Sequence, residues 1–142
     1  MSAPLRLGIA GLGTVGVGVV KIIAEKAALL RQRTGREIVI TAVSARSAQN
    51  DRGIDLAPYA WEADPVALAK RPDVDIFVEL MGGHEGPAKE ATEAALNAGK
   101  DVVTANKALL AHHGQKLAEK AENGGKLLRF EAAVAGGIPV VK

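Results

Sequence analysis

A glycine-rich turn constrains the fold of this chain more than any other feature of its sequence. It runs Gly11-Leu12-Gly13-Thr14-Val15-Gly16 and follows Leu5–Ala10, an apolar run typical of a buried strand. From Val15 onward, apolar residues recur at helical spacing up to Leu30. The pattern predicts a strand that leads through a tight turn into a helix. Because a helix N-terminus carries about half a positive charge, the turn predicts a site for the diphosphate of a dinucleotide, with a purely structural turn as the alternative.

The three glycines of the turn have separate predicted roles in such a site. Gly11 permits the tight turn, Gly13 lets the diphosphate approach the backbone, and Gly16 lets the helix lie close to the strand. Thr14 and Val15 stand at the start of the helix. We expect these five residues to form the diphosphate-binding part of the site.

Segments of strand and helix character alternate along the rest of the chain. Strands are predicted at residues 5–10, 37–44, 59–62, 75–80, 101–104 and 126–130. Helices are predicted from residue 15 to a stop at Thr34-Gly35, then at 65–70, 87–98 and 106–123, with a break allowed near Gly114. This alternation predicts an α/β fold, a doubly wound parallel sheet of Rossmann type whose ligands bind beyond the carboxyl ends of the strands. We assign residues 1–138 to one dinucleotide-binding domain and 139–142 to the start of a hinge or helix into a further domain.

Composition and charge exclude several other classes of function. The net charge of +2 and the 3% aromatic content argue against a nucleic-acid surface. No apolar run approaches the roughly 18 residues that a membrane span needs, and the N-terminus lacks the pattern of a signal peptide. The chain has no cysteine and therefore neither a disulfide nor a thiolate metal site. We expect a cytoplasmic protein that binds neither nucleic acid nor membrane.

The segment after the second predicted strand bears on which dinucleotide is bound. It runs Ser44-Ala45-Arg46-Ser47 and contains no acidic residue. A carboxylate at this place accepts hydrogen bonds from the adenosine ribose of NAD, whereas an arginine pairs with the additional phosphate of NADP. We predict that Arg46, helped by Ser44 or Ser47, favours NADP; a solvated loop arginine is the alternative.

Three further stretches each follow a predicted strand and, together with the glycine turn, carry a family resemblance. They are ELMGG at residues 79–83, VTANKALL at 103–110 and EAAVAGGIP at 131–139. The four stretches closely resemble the N-terminal cofactor domain of homoserine dehydrogenases, over essentially the whole chain. The resemblance implies reversible hydride transfer between NAD(P)H and L-aspartate 4-semialdehyde, which gives L-homoserine on the way to threonine, isoleucine and methionine.

The resemblance assigns the reaction centre to the Asn-Lys pair of the second stretch. It implies that Lys107 lies beside the nicotinamide and the substrate, where a lysine binds or polarises the reacting oxygen. It also implies cofactor contacts from Met81, Gly82 and Thr104. The residues themselves leave another interpretation open, in which Lys107 is solvated in the first helical turn and Asn106 caps the helix.

The third stretch resembles the loop that holds a monovalent cation, usually sodium, in this family. The resemblance implies that the ligands are the Glu131 carboxylate and the backbone carbonyls of Val134, Gly136 and Ile138. Hard cations prefer oxygen ligands of these kinds. A glycine-containing loop that joins the sixth strand to a helix beginning at Pro139 is the alternative interpretation.

Homoserine dehydrogenases also have a substrate-binding and dimerising domain, with a second catalytic lysine and substrate-binding acids, and we find no match to it in this sequence. The resemblance therefore implies the cofactor-binding part of a longer, homo-oligomeric enzyme that reaches its small-molecule substrate through that domain. We expect the chain to bind NADP(H) but to turn over little or no substrate. The alternatives are another reductase of aspartate-derived metabolites and a non-catalytic dinucleotide-sensing module.

Four further polar side chains are weaker candidates for a functional role. His84 and Glu85 follow the fourth predicted strand and face the predicted cofactor cleft, but a loop histidine is more often solvated. His112 and His113 lack the i, i+4 spacing of a helical zinc pair. We therefore interpret all four as solvated surface residues.

Overall fold

The computed structural model describes residues 3–45, 53, 55–81 and 85–130. The strands in this part of the chain are β1 (Leu5–Ala10), β2 (Ile38–Ser44), β3 (Ala60–Trp61), β4 (Ile76–Glu79), β5 (Asp101–Thr104) and β6 (Leu128–Phe130). They form one sheet in the order β3-β2-β1-β4-β5-β6, and every neighbouring pair is parallel. The order reverses between β1 and β4, which confirms the predicted doubly wound α/β fold.

The helices in the same part of the chain are α1 (Thr14–Glu25), α2 (Ala27–Thr34), α3 (Pro65–Ala69), α4 (Pro87–Asn97) and α5 (Lys107–Asn123). The single first helix that we predicted is divided at Lys26, whose φ of −107° and ψ of 20° leave helical geometry. Apolar residues of α1 hold that helix on the sheet, whereas α2 buries none of its residues. The division therefore lies at the end of the apolar stripe. The break allowed at Gly114 does not occur. One glycine lowers helix propensity by only about 1 kcal/mol, and buried Leu109 and Leu117 hold α5 on either side of it.

Two apolar layers hold the helices on the sheet, one on each face. Phe77 and Val78 are neighbours on β4 and point to opposite faces, as successive strand residues do. Val78 lies in the layer that α1 covers, with Leu7, Ile9, Leu12, Val20, Ile40 and Val43. Phe77 lies in the layer covered by α3, α4 and α5, with Leu68, Ala69, Ala91, Ala95, Leu96, Val102, Leu109, Leu117 and Ala121.

All strands run in the same direction, so their carboxyl ends meet at one edge of the sheet. Helices α1, α4 and α5 begin at this edge, which makes it the edge where the predicted ligand site belongs. None of the helices among the described residues is both long enough and apolar enough to cross a bilayer.

The opposite edge of the sheet carries two ion pairs that make stability depend on pH. Arg6 Nη2 lies 2.9 Å from Asp75 Oδ1, and Arg71 Nε lies 2.8 Å from Asp73 Oδ1. Hydrogen bonds from these guanidinium groups lower the pKa of both carboxyl groups from the ordinary value of 3.8. A carboxyl group whose pKa is lowered by folding stabilises the fold above its unfolded pKa, and that contribution is lost as the pH falls through the lower, folded pKa.

We therefore expect the Asp75→Asn variant to unfold at a lower urea concentration than the wild type at pH 7. The gap between the two midpoints should narrow steadily as the pH is lowered from 5 toward about 2, because the wild-type carboxylate is then protonated as well. Urea unfolding followed by circular dichroism at several pH values measures this gap. If the difference between the two urea midpoints stays the same from pH 5 to about pH 2, the ion pair between Asp75 and Arg6 is not its cause.

Candidate functional site

The turn after β1 is fixed by contacts with both neighbouring strands. The Gly11 N–H donates to the Ser44 carbonyl at the end of β2, at 2.8 Å, and the Leu80 N–H donates to the Ala10 carbonyl, also at 2.8 Å. Gly11 has a φ of +105°, and a Cβ added there would lie 2.6 Å from the Leu80 oxygen. The chain segments that follow β1 and β4 therefore touch at the point where strand order reverses, and the φ of Gly11 fits the tight turn predicted at this residue.

The N-terminus of α1 is open and carries no side-chain cap. Its N-cap is Gly13, with φ −77° and ψ −159°, and the first intrahelical bond runs from the Val17 N–H to the Gly13 carbonyl. The N–H groups of the first turn have no partner within the helix. Gly13 and Thr14 are exposed. Among the described residues, no atom stands within 4 Å on the side of the turn to which a Gly13 side chain would point.

Gly16 allows a close approach between α1 and the end of β1. We expected it to let the helix lie close to the strand. A Cβ added at Gly16 would overlap the carbonyl oxygen of Gly11, the residue that directly follows β1. Gly16 is buried, so the first turn of α1 folds back directly onto the start of the loop. The spacing of the two glycines is required for this contact.

A buried carboxylate joins the ends of β4 and β5. Glu79 and Thr104 are register partners on the two strands, and both are 0% exposed. Glu79 Oε1 accepts from Thr104 Oγ1 at 2.6 Å, and Glu79 Oε2 accepts from the Met81 N–H at 2.7 Å. Glu79 was predicted only as part of the ELMGG motif, without a role of its own. The signal in the sequence for a buried polar contact was an acidic residue at the end of an apolar strand. A buried charge requires an ionic or hydrogen-bonding partner.

Lys107 is the first residue of α5 and is exposed. Asn106 is the N-cap, and its Oδ1 accepts from the Leu109 N–H at 2.9 Å, as the alternative interpretation expected. Lys107 and the glycine turn each follow the carboxyl end of a parallel strand, so they lie on the same edge of the sheet. The active-site role of Lys107 stays a prediction, compatible with this position.

Two other predicted cofactor residues are partly or fully covered by protein. Met81 is half-buried and packs against the core beneath α4 and α5. The Thr104 hydroxyl donates to Glu79 and accepts from the Asn106 N–H at 3.0 Å. The Thr104 hydroxyl is therefore engaged within the protein, and the residue is 0% exposed. Ser44, one of the two predicted helpers of Arg46, is buried at the end of β2.

Several predicted site residues lie outside the described residues. Within the described part of the chain, no group of three or more histidine, aspartate or glutamate side chains is arranged to hold a metal ion. The predicted cation ligands belong to the part that is not described, as do two predicted cofactor residues and one histidine, namely Arg46, Gly82, His84, Glu131, Val134, Gly136 and Ile138.

One pair of side chains that we interpreted as solvated is in contact. His113 Nε2 of α5 lies 2.6 Å from Glu85 Oε2, just before α4. The His113 side chain is 18% exposed, so this surface residue is partly covered and has a protein partner. The contact ties the segment before α4 to α5.

Comparison with known proteins gives consistent matches. The family model described as homoserine dehydrogenase, NAD binding domain, matches residues 11–131. A homoserine dehydrogenase of Neisseria gonorrhoeae is 45% identical over 139 residues, which are 98% of this chain and 32% of that protein. The chain thus spans about a third of the length of the curated relatives it matches.

Solved structures agree with the sequence matches. The crystal structure of a homoserine dehydrogenase from Thiobacillus denitrificans has a TM-score of 0.86 and 39% identity, covering 96% of this chain and 31% of that one. A hyperthermophilic archaeal homoserine dehydrogenase mutant in complex with NADPH has a TM-score of 0.76 and 25% identity, covering 96% and 46% of the two chains.

Proposed function

Since this chain belongs to the homoserine dehydrogenase family, we propose that it provides the dinucleotide site of an enzyme that interconverts L-homoserine and L-aspartate 4-semialdehyde. The observation that carries the proposal is the open, uncapped N-terminus of α1 at the point where strand order reverses. Unpaired N–H groups and the positive end of the helix attract a diphosphate at such a place. The bound dinucleotide supplies or accepts the hydride.

The glycine turn and Lys107, which lie at the same edge of the sheet, have different proposed roles. Gly11 and Gly16 hold the turn, while the N–H groups beyond Gly13 donate to the diphosphate. Lys107, exposed on the same edge and fixed behind its Asn106 cap, binds or polarises the oxygen of the reacting carbonyl or alcohol. A fixed donor at that oxygen favours the charge that develops there during hydride transfer.

Gly13→Ala separates ligand binding from stability. Its Cβ meets no described atom within 4 Å, so we expect the free energy of unfolding to change by less than about 1 kcal/mol. The same Cβ stands where the diphosphate approaches the backbone, so NADPH affinity should fall at least about tenfold. Fluorescence titration with NADPH and urea unfolding measure the two quantities. A variant that keeps wild-type NADPH affinity would refute this site.

We propose further that the preferred dinucleotide is NADP(H), selected by Arg46. An arginine–phosphate hydrogen bond contributes about 1.5–3 kcal/mol, which is roughly ten- to a hundredfold in affinity. Arg46→Ala should therefore weaken NADPH binding by about that factor and leave NADH binding unchanged. Side-by-side titrations decide the point, since equal wild-type affinities for the two dinucleotides would remove the proposal.

Turnover is proposed to need residues that this chain does not contain, because its relatives are about three times as long. We expect NADPH binding without measurable oxidation of L-homoserine by the 142-residue chain. The sodium site at Glu131, Val134, Gly136 and Ile138 stays a prediction. A carboxylate with three carbonyl oxygens is a suitable ligand set for a hard cation.

A further inference from the structure

We propose that Glu79 is a positioning residue that locks together the two turns on which the cofactor and Lys107 depend. One turn leaves β4 at Leu80 and Met81, and the other leaves β5 at Asn106 and opens α5. The proposal rests on the proposed function for its consequence, which is weaker dinucleotide binding, but its structural part concerns this chain alone.

The two oxygens of Glu79 serve different turns. Oε2 accepts from the Met81 N–H at 2.7 Å, which holds the first residues after β4. Oε1 accepts from Thr104 Oγ1 at 2.6 Å, on the register partner in β5. The side chain is 0% exposed, although burying a carboxylate costs several kcal/mol unless its oxygens are satisfied. Both contacts use Glu79 as an acceptor, as an ionised carboxylate requires.

The second contact continues into the start of α5. Thr104 Oγ1 accepts from the Asn106 N–H at 3.0 Å, so its own proton is the one donated to Glu79. Asn106 Oδ1 in turn accepts from the Leu109 N–H at 2.9 Å. Lys107 lies between Asn106 and Leu109 in the chain, within the turn that this hydrogen bond closes. A continuous series of hydrogen bonds therefore runs from Met81 through Glu79 to the helical turn that carries Lys107.

An amide in place of the carboxylate leaves one donor of this series without its acceptor. A glutamine side chain has one oxygen and one NH₂ group, whereas both positions here face donors. If its oxygen faces the Met81 N–H, its NH₂ donates to Thr104 Oγ1, and the proton of that hydroxyl then has no acceptor at position 79. If it is turned around, the NH₂ faces the Met81 N–H directly. Glu79→Gln thus preserves shape, but it removes the charge from both contacts and leaves one buried donor without its acceptor.

The chain offers a matched control for the threonine end of the series. Thr104→Val removes the hydroxyl that links Glu79 to Asn106. Thr92→Val makes the same change on α4, where Thr92 is also 0% exposed and its Oγ1 has no hydrogen-bond partner among the described residues. A general effect of replacing buried threonine appears in both variants, but an effect through Glu79 appears only at position 104.

The test measures NADPH and NADH affinity of the 142-residue chain together with amide hydrogen exchange. In Glu79→Gln and Thr104→Val we expect NADPH affinity to fall about tenfold. Exchange should speed up at least about tenfold at Met81 or Leu109 in Glu79→Gln, and at Leu109 in Thr104→Val. Thr92→Val should change neither quantity.

The outcomes separate this proposal from the proposed function. If the wild type binds neither dinucleotide, the proposed function is refuted. The amide hydrogen-exchange rates then still test the positioning role of Glu79. If the wild type binds NADPH and Glu79→Gln keeps both its affinity and its exchange rates, the positioning role is refuted. Should Glu79→Gln fail to fold, Thr104→Ser must retain more affinity than Thr104→Val, and equal affinities of these two variants overturn the proposal.

Discussion

The Gly16→Ala variant is expected to lose about 3 kcal/mol or more of the free energy of unfolding and to bind no dinucleotide. The added Cβ overlaps the carbonyl oxygen of Gly11. Backbone cannot rotate out of the way as a flexible side chain can. Either the first turn of α1 must shift, or the turn that follows β1 must open, and both movements displace the N–H groups at Gly13 and Thr14. Urea unfolding and NADPH titration measure the two effects.

Gly18→Ala is the control for this prediction, because it lies in the same helix. A Cβ at Gly18 meets no described atom within 4 Å. Alanine loses less backbone freedom than glycine when a helix forms, so Gly18→Ala should be more stable than the wild type by about 0.5–1 kcal/mol. Two alanine variants, two residues apart, should thus move stability in opposite directions. A Gly16→Ala variant within about 1 kcal/mol of the wild type would show that the contact is not rigid.

The Gly11→Ala variant should lose about 3 kcal/mol of unfolding free energy, for two separate reasons. Its φ of +105° is unfavourable for any residue with a Cβ. That Cβ would also lie 2.6 Å from the Leu80 oxygen and 2.9 Å from the Met81 nitrogen. The variant must therefore separate the segments after β1 and β4, which meet at the point where the dinucleotide is proposed to bind.

Gly35→Ala isolates the first of these two causes. Gly35 ends α2 with a φ of +75°, and a Cβ there meets no described atom within 4 Å. Only the backbone conformation is penalised, and we expect a loss of about 1 kcal/mol with unchanged NADPH affinity. If Gly11→Ala and Gly35→Ala prove equally stable, the contact between the two strand ends contributes nothing measurable.

The elements of the fold were predictable where a local pattern and the final packing agree. β1 and β5 occupy the predicted residues because β1 is a mostly apolar run and β5 contains three β-branched residues in succession, each next to turn residues. The division at Lys26 was not predictable, because good helix formers flank it and the interruption marks where the helix leaves the sheet. That point depends on tertiary packing rather than on the residues at the break.

The site was predictable in its backbone part and not in its buried polar part. A glycine turn acts through main-chain geometry, which a sequence pattern expresses directly. The partnership of Glu79 with Thr104 depends on β4 and β5 being neighbours in a particular register, which only the assembled sheet specifies. The group that Gly16 approaches was not predictable for a related reason, since it is the Gly11 carbonyl in the folded turn.

The place of β1 between β2 and β4 has a consequence for synthesis of this protein on the ribosome. Leu7 pairs with Ile40 on one side and with Ile76 on the other, so the central strand is half-paired until much later residues have emerged. Non-local pairings of this kind form late. Gly11 rests against Leu80, so a nascent chain that has emerged only through β3 lacks the segment that meets the glycine turn at the proposed dinucleotide site. Acquisition of NADPH binding during translation would therefore mark the docking of β4, and not the first appearance of the glycine turn.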